Sequence, residues 1–297
     1  MSFSSASQLR EELNKTSAIE ILSKFFDDGS FCETDALLKS EGSFAEAVTG
    51  YGTVMGMPVY AFAQNSDVAN GAMSKAQAKK IARLYDLAKM TGAPVVGFYD
   101  SLGGRLEQKN DLLAAYGEIL GKASELSGVV PQVSVVLGTC LGTSALTAVS
   151  ADFVIMSNDA ELAIDVAGDC SSAEHNAKHG VVSILCDDKD TCIEKAKKLI
   201  TYFPSNNLEV APIDDEVQPD FDEECVVCSI ADADSFVDID EKCGEGACVA
   251  FGRVKGEVVG FVETWGELVD CKAARQVAKF VRFCDSFSIP VVTVVDA

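Results

Sequence analysis

Positive charge and histidine are scarce in this 297-residue chain. It has 24 lysines and arginines against 46 aspartates and glutamates, a formal net charge of −22 at pH 7. Nucleic acids and anionic membranes need clustered cations, so we expect neither as a partner. The two histidines, His175 and His179, are four residues apart, a spacing that suits a metal pair on one helix face. No third ligand follows at a recognisable spacing, so we expect surface or helix-cap histidines instead.

Long apolar runs are also absent. No stretch approaches the roughly 20 apolar residues that a membrane-spanning helix needs, and no apolar segment follows the first charged residues as in a signal peptide. We therefore expect a cytoplasmic protein without membrane insertion. The 11 cysteines are scattered through apolar runs, which favours reduced, buried thiols. The spacing of Cys225, Cys228, Cys243 and Cys248 lacks the two tight pairs of a structural zinc site, so we predict no metal.

Segments typical of buried strands alternate with helical segments through the first 200 residues. Continuous apolar runs at 93–100, 130–138 and 152–156 predict strands, and apolar periodicity predicts helices at 73–92 and 111–126. A β-prone stretch at 47–64, broken by Gly-Met-Pro, predicts a hairpin. This alternation predicts an α/β fold with parallel strands. The stretch that begins at Pro204 then holds three of the seven prolines, eight acidic residues and no basic one, which predicts a linker.

After this stretch the first half of the chain begins again. Hairpin, helix and buried strand return in the same order, which predicts an internal duplication. The paired residues are Gly52 with Gly252, Gly56 with Gly256, Val59 with Val259, Pro94 with Pro290 and Asp100 with Asp296. The second copy stops after its strand, whereas the first continues. We therefore expect a truncated chain with a full domain over 1–204, an acidic linker over 205–244 and an incomplete, less protected repeat over 245–297.

Two glycine-containing loops follow buried strands, where α/β sheets place ligand sites. The first contains Gly103 and Gly104, and the second contains Gly138 and Gly142, with Gly142 at the predicted start of a helix. Backbone N–H groups of such loops can donate to an oxygen that becomes negative during a reaction, as in an oxyanion hole. Plain tight turns are the alternative. Neither loop is a dinucleotide fingerprint or a P-loop.

Side chains for acid–base or nucleophilic chemistry are few near these loops. Cys140 lies between the two glycines of the second loop and is a candidate nucleophile, but no histidine or acid stands at a telling distance. The sequence therefore predicts a site built from backbone donors. Two basic clusters, at 75–83 and 272–282, suit an anionic ligand or, alternatively, form solvated helix faces.

Several segments resemble one family along nearly the whole chain. "FFDDGSFCETD", "GYGTVMGMPVYAFAQ", "GAPVVGFYDSLGGR", "GVVPQVSVVLGTCLG", "YFPSNN" and "KAARQVAKFVRFCDSFSIPVVTVVD" resemble the carboxyltransferase subunits of biotin-dependent acyl-CoA carboxylases and of the related sodium-pumping decarboxylases. The resemblance implies crotonase-like (ClpP/crotonase) α/β spiral domains, here one full N-terminal domain and the first part of a second. It also implies carboxyl transfer between carboxybiotin and the α-carbon of an acyl-CoA.

The resemblance further implies partners and site residues. Biotin would be carried by a biotin carboxyl carrier protein loaded by a biotin carboxylase subunit, coenzyme A would be part of the substrate, and the subunit would form homo-oligomers. In the family, backbone amides of the first domain hold the thioester oxygen as it becomes an enolate. By position the matching glycines are Gly103, Gly104, Gly138 and Gly142, and the cations expected near the CoA phosphates are Lys75, Lys79, Lys80, Arg83 and Arg105.

The chain also departs from the family pattern. Leu102-Gly103-Gly104 stands where the family has Gly-Gly-Ala, Thr143 stands where it has a second glycine, and a Thr-Gly-Pro segment is missing between Met156 and His175. Two alternatives therefore stay open. One is another crotonase-type enzyme, such as a hydratase or isomerase, with Glu107 as the nearest acid. The other is a non-catalytic assembly subunit.

Overall fold

The computed structural model describes residues 15–40, 43–44, 46–165, 169–220, 226–239, 242–266 and 268–295. Cys225, Asp296 and part of the stretch between Met156 and His175 lie outside these residues. The helices are α1 (Ser17–Phe25), α2 (Lys75–Thr91), α3 (Lys109–Leu126), α4 (Thr143–Val149), α5 (Ala173–Lys178), α6 (Lys189–Ile200) and α7 (Cys271–Ser286). None of the helices in these ranges is long and apolar enough to cross a membrane.

Fourteen strands are formed by the described residues. They are β1 (Cys32–Thr34), β2 (Lys39–Ser40), β3 (Ser43–Phe44), β4 (Ala47–Val54), β5 (Met57–Gln64), β6 (Val95–Ser101), β7 (Gln132–Leu141), β8 (Phe153–Ser157), β9 (Glu161–Ala163), β10 (Ile184–Cys186), β11 (Val237–Ile239), β12 (Ala247–Val254), β13 (Glu257–Thr264) and β14 (Val291–Val295). The main sheet has the order β1-β4-β5-β6-β7-β8-β10, with β9 paired to β7. Pairing is antiparallel from β1 to β5 and parallel from β5 to β10, so the predicted parallel α/β architecture is confirmed.

Helix α2 illustrates how the sequence sets an element's limits. The side chain of Ser74 accepts a hydrogen bond from Gln77 N–H at 3.2 Å, which satisfies one of the free donors at the helix start. Gly92 ends the helix in the left-handed conformation, at φ 66°, which glycine adopts without a steric penalty. The helix predicted at 73–92 is therefore present, with its N-cap at Ser74.

The second sheet, in the order β11-β12-β13-β14, repeats part of the first. Both long hairpins turn at two residues with positive φ, Met55-Gly56 and Lys255-Gly256. A carboxylate binds each turn. Asp27 accepts from the N–H groups of Met55 and Gly56 at 2.8 and 2.9 Å, and Asp232 accepts from those of Lys255 and Gly256 at 2.9 and 2.7 Å. The structural repeat therefore reaches back to Asp232 and includes β11, inside the stretch predicted as a linker.

The two repeats share one apolar core. Phe153 and Phe203 come from the first part of the chain and Phe251 and Phe283 from the second, and their ring centroids lie 4.7–6.0 Å apart. Edge strand β14 is half-buried, with Val295 62% exposed. Because rings of the second repeat are buried against the first, the packing does not support the expectation that the second repeat is the less protected part.

Cysteine chemistry differs from the prediction at one position. Nine cysteines of the described residues are free thiols, as predicted, but Cys32, Cys170 and Cys271 are exposed and not buried. Cys228 is disulfide-bonded, which the expectation of reduced thiols did not include.

Candidate functional site

The two glycine-containing loops lie side by side at the carboxyl ends of neighbouring parallel strands. Ser101, the last residue of β6, pairs in register with Cys140 near the end of β7. A Cβ atom added to Gly103 would lie 3.4 Å from the carbonyl oxygen of Leu141, so the two loops are in contact. This edge of a parallel sheet is where α/β proteins place ligand sites.

Three of the four predicted oxyanion donors have other roles. Gly103 N–H donates to Ser101 Oγ at 3.1 Å, and Gly142 N–H donates to the Ala163 carbonyl at 2.9 Å. Gly138 lies within β7, where a side chain would overlap the Asp100 carboxylate. The N–H groups of Gly103 and Gly142 are therefore already used, and Gly138 leaves space for the Asp100 carboxylate.

Other backbone groups are placed to donate. In the described part of the chain, Gly104 N–H is used in no hydrogen bond. Gly142 is the N-cap of α4, with φ 64° and ψ −134°, so the N–H of Thr143 is the first of the helix and has no partner within it. Thr143 was not predicted as a donor, because glycine was taken as the residue type that marks such a loop, although the predicted helix start already pointed to this position.

A buried glutamine connects the two loops. Gln64, at the end of β5, accepts a hydrogen bond from Asp100 N–H at 3.1 Å and donates through Nε2 to Ser144 Oγ at 3.2 Å. Gln64 is 1% exposed, so both bonds are shielded from water. The start of α4 is thereby tied to the end of β6. The only signal in the sequence is a polar residue at the end of an apolar strand.

Cys140 does not fit the role of a nucleophile. Its side chain is fully buried, and burial raises the pKa of the thiol to about 12. A thiol with this pKa is protonated at neutral pH, whereas the thiolate is the reactive form. The structure therefore does not support Cys140 as a nucleophile of this site.

The cations predicted near the CoA phosphates divide into two groups. Lys75, Lys79 and Arg83 lie on the exposed face of α2, which begins beside the first loop. Lys75 pairs with Asp111 at 3.2 Å and Arg83 with Asp35 at 3.1 Å. Among the described residues Lys79 forms no ion pair. All three side chains are exposed, and Lys75 and Arg83 would share an anionic ligand with the carboxylates that they already face.

Lys80 and Arg105 are inside the protein, and their assignment to phosphates is wrong. Lys80 is 3% exposed and donates to the Ala47 carbonyl at 2.8 Å, and burial lowers its pKa. Arg105 forms an ion pair with Glu46, whose side chain is fully buried. A cation held in this way cannot turn to a phosphate at the surface without leaving a buried carboxylate unpaired.

The remaining candidates carry no site. His179 follows the last residue of α5, and its Nδ1 lies 2.8 Å from the His175 carbonyl oxygen, as expected for a helix-end histidine. No group of three or more histidine, cysteine or acidic side chains in the described ranges is arranged to hold a metal ion. Glu107 is exposed. Cavities of about 320 and 370 Å³ lie beside α7 and beside the β4–β5 hairpin, away from the glycine loops.

The repeated sheet architecture and the paired loops at the strand ends define a crotonase-like α/β protein. Residues 10–297 match the family described as Carboxyl transferase domain, and the chain belongs to this family. The resemblance seen in the sequence is thereby confirmed.

Relatives support the same placement. Methylmalonyl-CoA decarboxylase subunit alpha of Propionigenium modestum is 32% identical, over 95% of this chain and 64% of that protein. The methylmalonyl-CoA carboxyltransferase 12S subunit of Propionibacterium freudenreichii subsp. shermanii is 31% identical, over 95% of this chain and 62% of that protein. A transcarboxylase 12S structure, a hexamer with hydrolysed methylmalonyl-CoA bound, superposes with a TM-score of 0.89 at 30% identity, over 97% of this chain and 66% of the other. The chain therefore spans about two thirds of the length of these relatives.

Proposed function

We propose that this chain binds an acyl-CoA thioester and forms the acyl-CoA half of a carboxyltransferase site. One observation carries the proposal: the loop that contains Gly104 and the start of α4 at Thr143 lie together at the strand ends. Among the described residues, the backbone N–H of Gly104 and that of Thr143 form no hydrogen bond. Two such donors can hold the thioester oxygen when it becomes an enolate oxygen. The enolate is the nucleophile that carboxylation of the α-carbon requires.

The two side chains that the sequence offered for acid–base or nucleophilic chemistry do not suit those roles. Cys140 is a buried, protonated thiol, and Glu107 is exposed. A hydratase or isomerase needs an acid or base at the α-carbon, which neither of these two groups supplies. Biotin, on a carrier protein, would supply or accept the carboxyl group. This chain's own residues would bind the CoA, orient the thioester and stabilise the charge on its oxygen.

We further propose that Lys75, Lys79 and Arg83 meet the CoA phosphates. They lie on the exposed face of α2, and α2 begins against the first loop, because Lys75 N–H donates to Gln108 Oε1 at 2.8 Å. In a chain of net charge −22 such a local cluster offsets the overall repulsion of an anionic ligand. The biotin carboxyl carrier protein, the biotin carboxylase subunit, a homo-oligomeric assembly and a cytoplasmic location are parts of the same proposal.

Calorimetry with propionyl-CoA, acetyl-CoA and free CoA tests the proposal. We expect both thioesters to bind, and we expect Lys79→Ala to weaken their binding by up to about fivefold and to reduce its salt dependence. Lys89→Ala is the matched control, because Lys89 lies in the last turn of the same helix, α2, and pairs with Glu125 at 2.8 Å. If millimolar thioester produces no heat of binding, the proposal is overturned in favour of a non-catalytic assembly subunit. The presence of Leu102 and Thr143 where the family has glycines also suits that alternative.

A further inference from the structure

A fully buried carboxylate lies beneath the first glycine loop. Glu46, directly before β4, accepts a hydrogen bond from Ser74 Oγ at 2.6 Å through one oxygen and pairs with the Arg105 guanidinium through the other. Its backbone carbonyl accepts from Asn65 N–H at 2.7 Å, and its side chain is 0% exposed. Glu46 therefore contacts three segments that are distant in sequence.

Two of these segments are the parts of the site that a CoA thioester would touch. Ser74 is the N-cap of α2, which carries the exposed cations, and Arg105 follows Gly103-Gly104 directly. Backbone bonds continue the connection: Met73 N–H donates to the Gly103 carbonyl at 2.7 Å, and Arg105 N–H donates to the Met73 carbonyl at 2.9 Å. The helix start and the loop thus form one hydrogen-bonded block with Glu46 at its centre.

Stability alone is a weak reason for such a pair. Burying two charges costs several kcal/mol of desolvation, and a well-packed apolar pair of similar volume is often as stable. The two oxygens of Glu46, however, contact two different segments, at Ser74 and at Arg105, and so fix one segment relative to the other. The arrangement therefore favours a role in geometry over a role in net stability.

We propose that Glu46 is a positioning residue that fixes the Gly103-Gly104 loop relative to α2. The loop can then bind the thioester oxygen while the cations of α2 bind the phosphates of the same CoA molecule. The role is indirect, since Glu46 is buried and acts through Ser74 and Arg105. The consequence for binding rests on the proposed acyl-CoA function, whereas the consequence for loop order does not.

Glu46→Gln tests the proposal, with Glu33→Gln as the matched control. Glu33 is a second buried carboxylate and lies 3.9 Å from Nζ of Lys80, which itself donates to the Ala47 carbonyl. Hydrogen exchange without ligand is the first measurement. We expect faster exchange in Glu46→Gln at residues 73–77 and 102–108, with no such change in Glu33→Gln.

The second measurement is the ratio of the Kd values for free CoA and propionyl-CoA. Only the acyl-CoA has a thioester carbonyl oxygen for the loop to hold. Glu46→Gln should therefore lower this ratio by about three- to tenfold, the range expected when one neutral hydrogen bond is lost. Ser74→Ala should lower the ratio by a smaller factor. Arg105→Lys should also lower it by less than Glu46→Gln does, because the positive charge is kept.

The outcomes separate the two proposals. Unchanged exchange in the loop of Glu46→Gln, or equal effects of Glu46→Gln and Glu33→Gln, would overturn the positioning role. Failure of the unmodified chain to bind propionyl-CoA would overturn the acyl-CoA function, and the exchange data would still decide whether Glu46 orders the loop.

Discussion

At the scale of single residues, the glycines of the site act through conformation and space. Gly142 has φ 64° and ψ −134°, a combination that L-residues avoid, and it starts α4 at the point where the Thr143 N–H becomes free. A Cβ atom on Gly142 would meet no atom within 4 Å, so the space beside it is open to a ligand. Position 142 therefore requires glycine because of its backbone conformation. The open space beside it suits the proposed acyl-CoA ligand.

We expect Gly142→Val to abolish propionyl-CoA binding and to lower the free energy of unfolding by about 1–3 kcal/mol, the usual cost of a strained backbone conformation. Gly121→Ala is the control, since Gly121 lies on the exposed face of α3 with open space around it, and this variant should gain up to about 1 kcal/mol. Calorimetry and chemical denaturation measure both effects. Thioester binding by Gly142→Val at the parent affinity would contradict our placement of the oxyanion site.

The sequence contained part of the information about individual site residues. Both loops and their contact at the strand ends follow from the strand pattern. The inward position of Lys80 was also readable, because the buried residues of α2 recur at helical spacing and include Gln77, Ile81 and Leu84. The partner of Arg105 was not readable, since Glu46 is distant in the chain and only the folded sheet brings them together. The role of Gln64 escaped prediction for the same reason.

At the scale of elements, the two hairpins also have features that the sequence predicted and features that it did not. Their strands and turns were predicted at the correct positions, because β-prone residues flank a turn that ends in glycine. The carboxylates that bind the turns come from separate segments, so local pattern gave no sign of them. Asp27 and Asp232 hold equivalent turns in the two repeats, and this equivalence identifies β11 as part of the second repeat.

Asp27→Asn should lower the free energy of unfolding by about 1–3 kcal/mol at pH 7, because a charged acceptor of two backbone N–H groups is lost. The Gly56 N–H bond is the main cause that holds the pKa of Asp27 below its usual value. The stability that the Asp27 carboxylate contributes is therefore fully present above the unfolded-state pKa of about 3.9. This contribution disappears as the pH falls through the lower pKa that Asp27 has in the folded state.

Denaturation of parent and variant across a pH series measures this dependence. The exposed neighbour Asp28 provides the control, and Asp28→Asn should change stability by less than about 0.5 kcal/mol. A difference between Asp27→Asn and parent that persists undiminished well below pH 3 would show that the turn is held by something other than the carboxylate charge.

At the scale of the whole molecule, the shared core predicts a single unfolding unit. Phe251 of the second repeat is fully buried and packs against Phe153 and Phe203 of the first. The single tryptophan, Trp265, lies in the second repeat, so its fluorescence reports that part, whereas far-UV circular dichroism reports mainly the helices of the first. Coincident transitions by the two probes are expected for one cooperative unit.

Phe251→Ala should destabilise the chain by about 3–5 kcal/mol, as for other large-to-small changes in a core, and should move both transitions together. Val281→Ala on the outer face of α7 serves as the control, since Val281 is 38% exposed. A tryptophan transition that shifts alone, well below the circular dichroism transition, would mean that the second repeat unfolds independently and that the aromatic contacts do not couple the two parts.

The common aromatic cluster also constrains how this gene can evolve. After a duplication, one copy is usually free to drift or to be deleted while the other preserves the original role. Here Phe251 and Phe283 fill the space beside Phe153 and Phe203, so deletion of the second copy would leave the rings of the first facing water. Substitutions at these four rings are therefore coupled across the two repeats, because the effects of residues in contact are not independent.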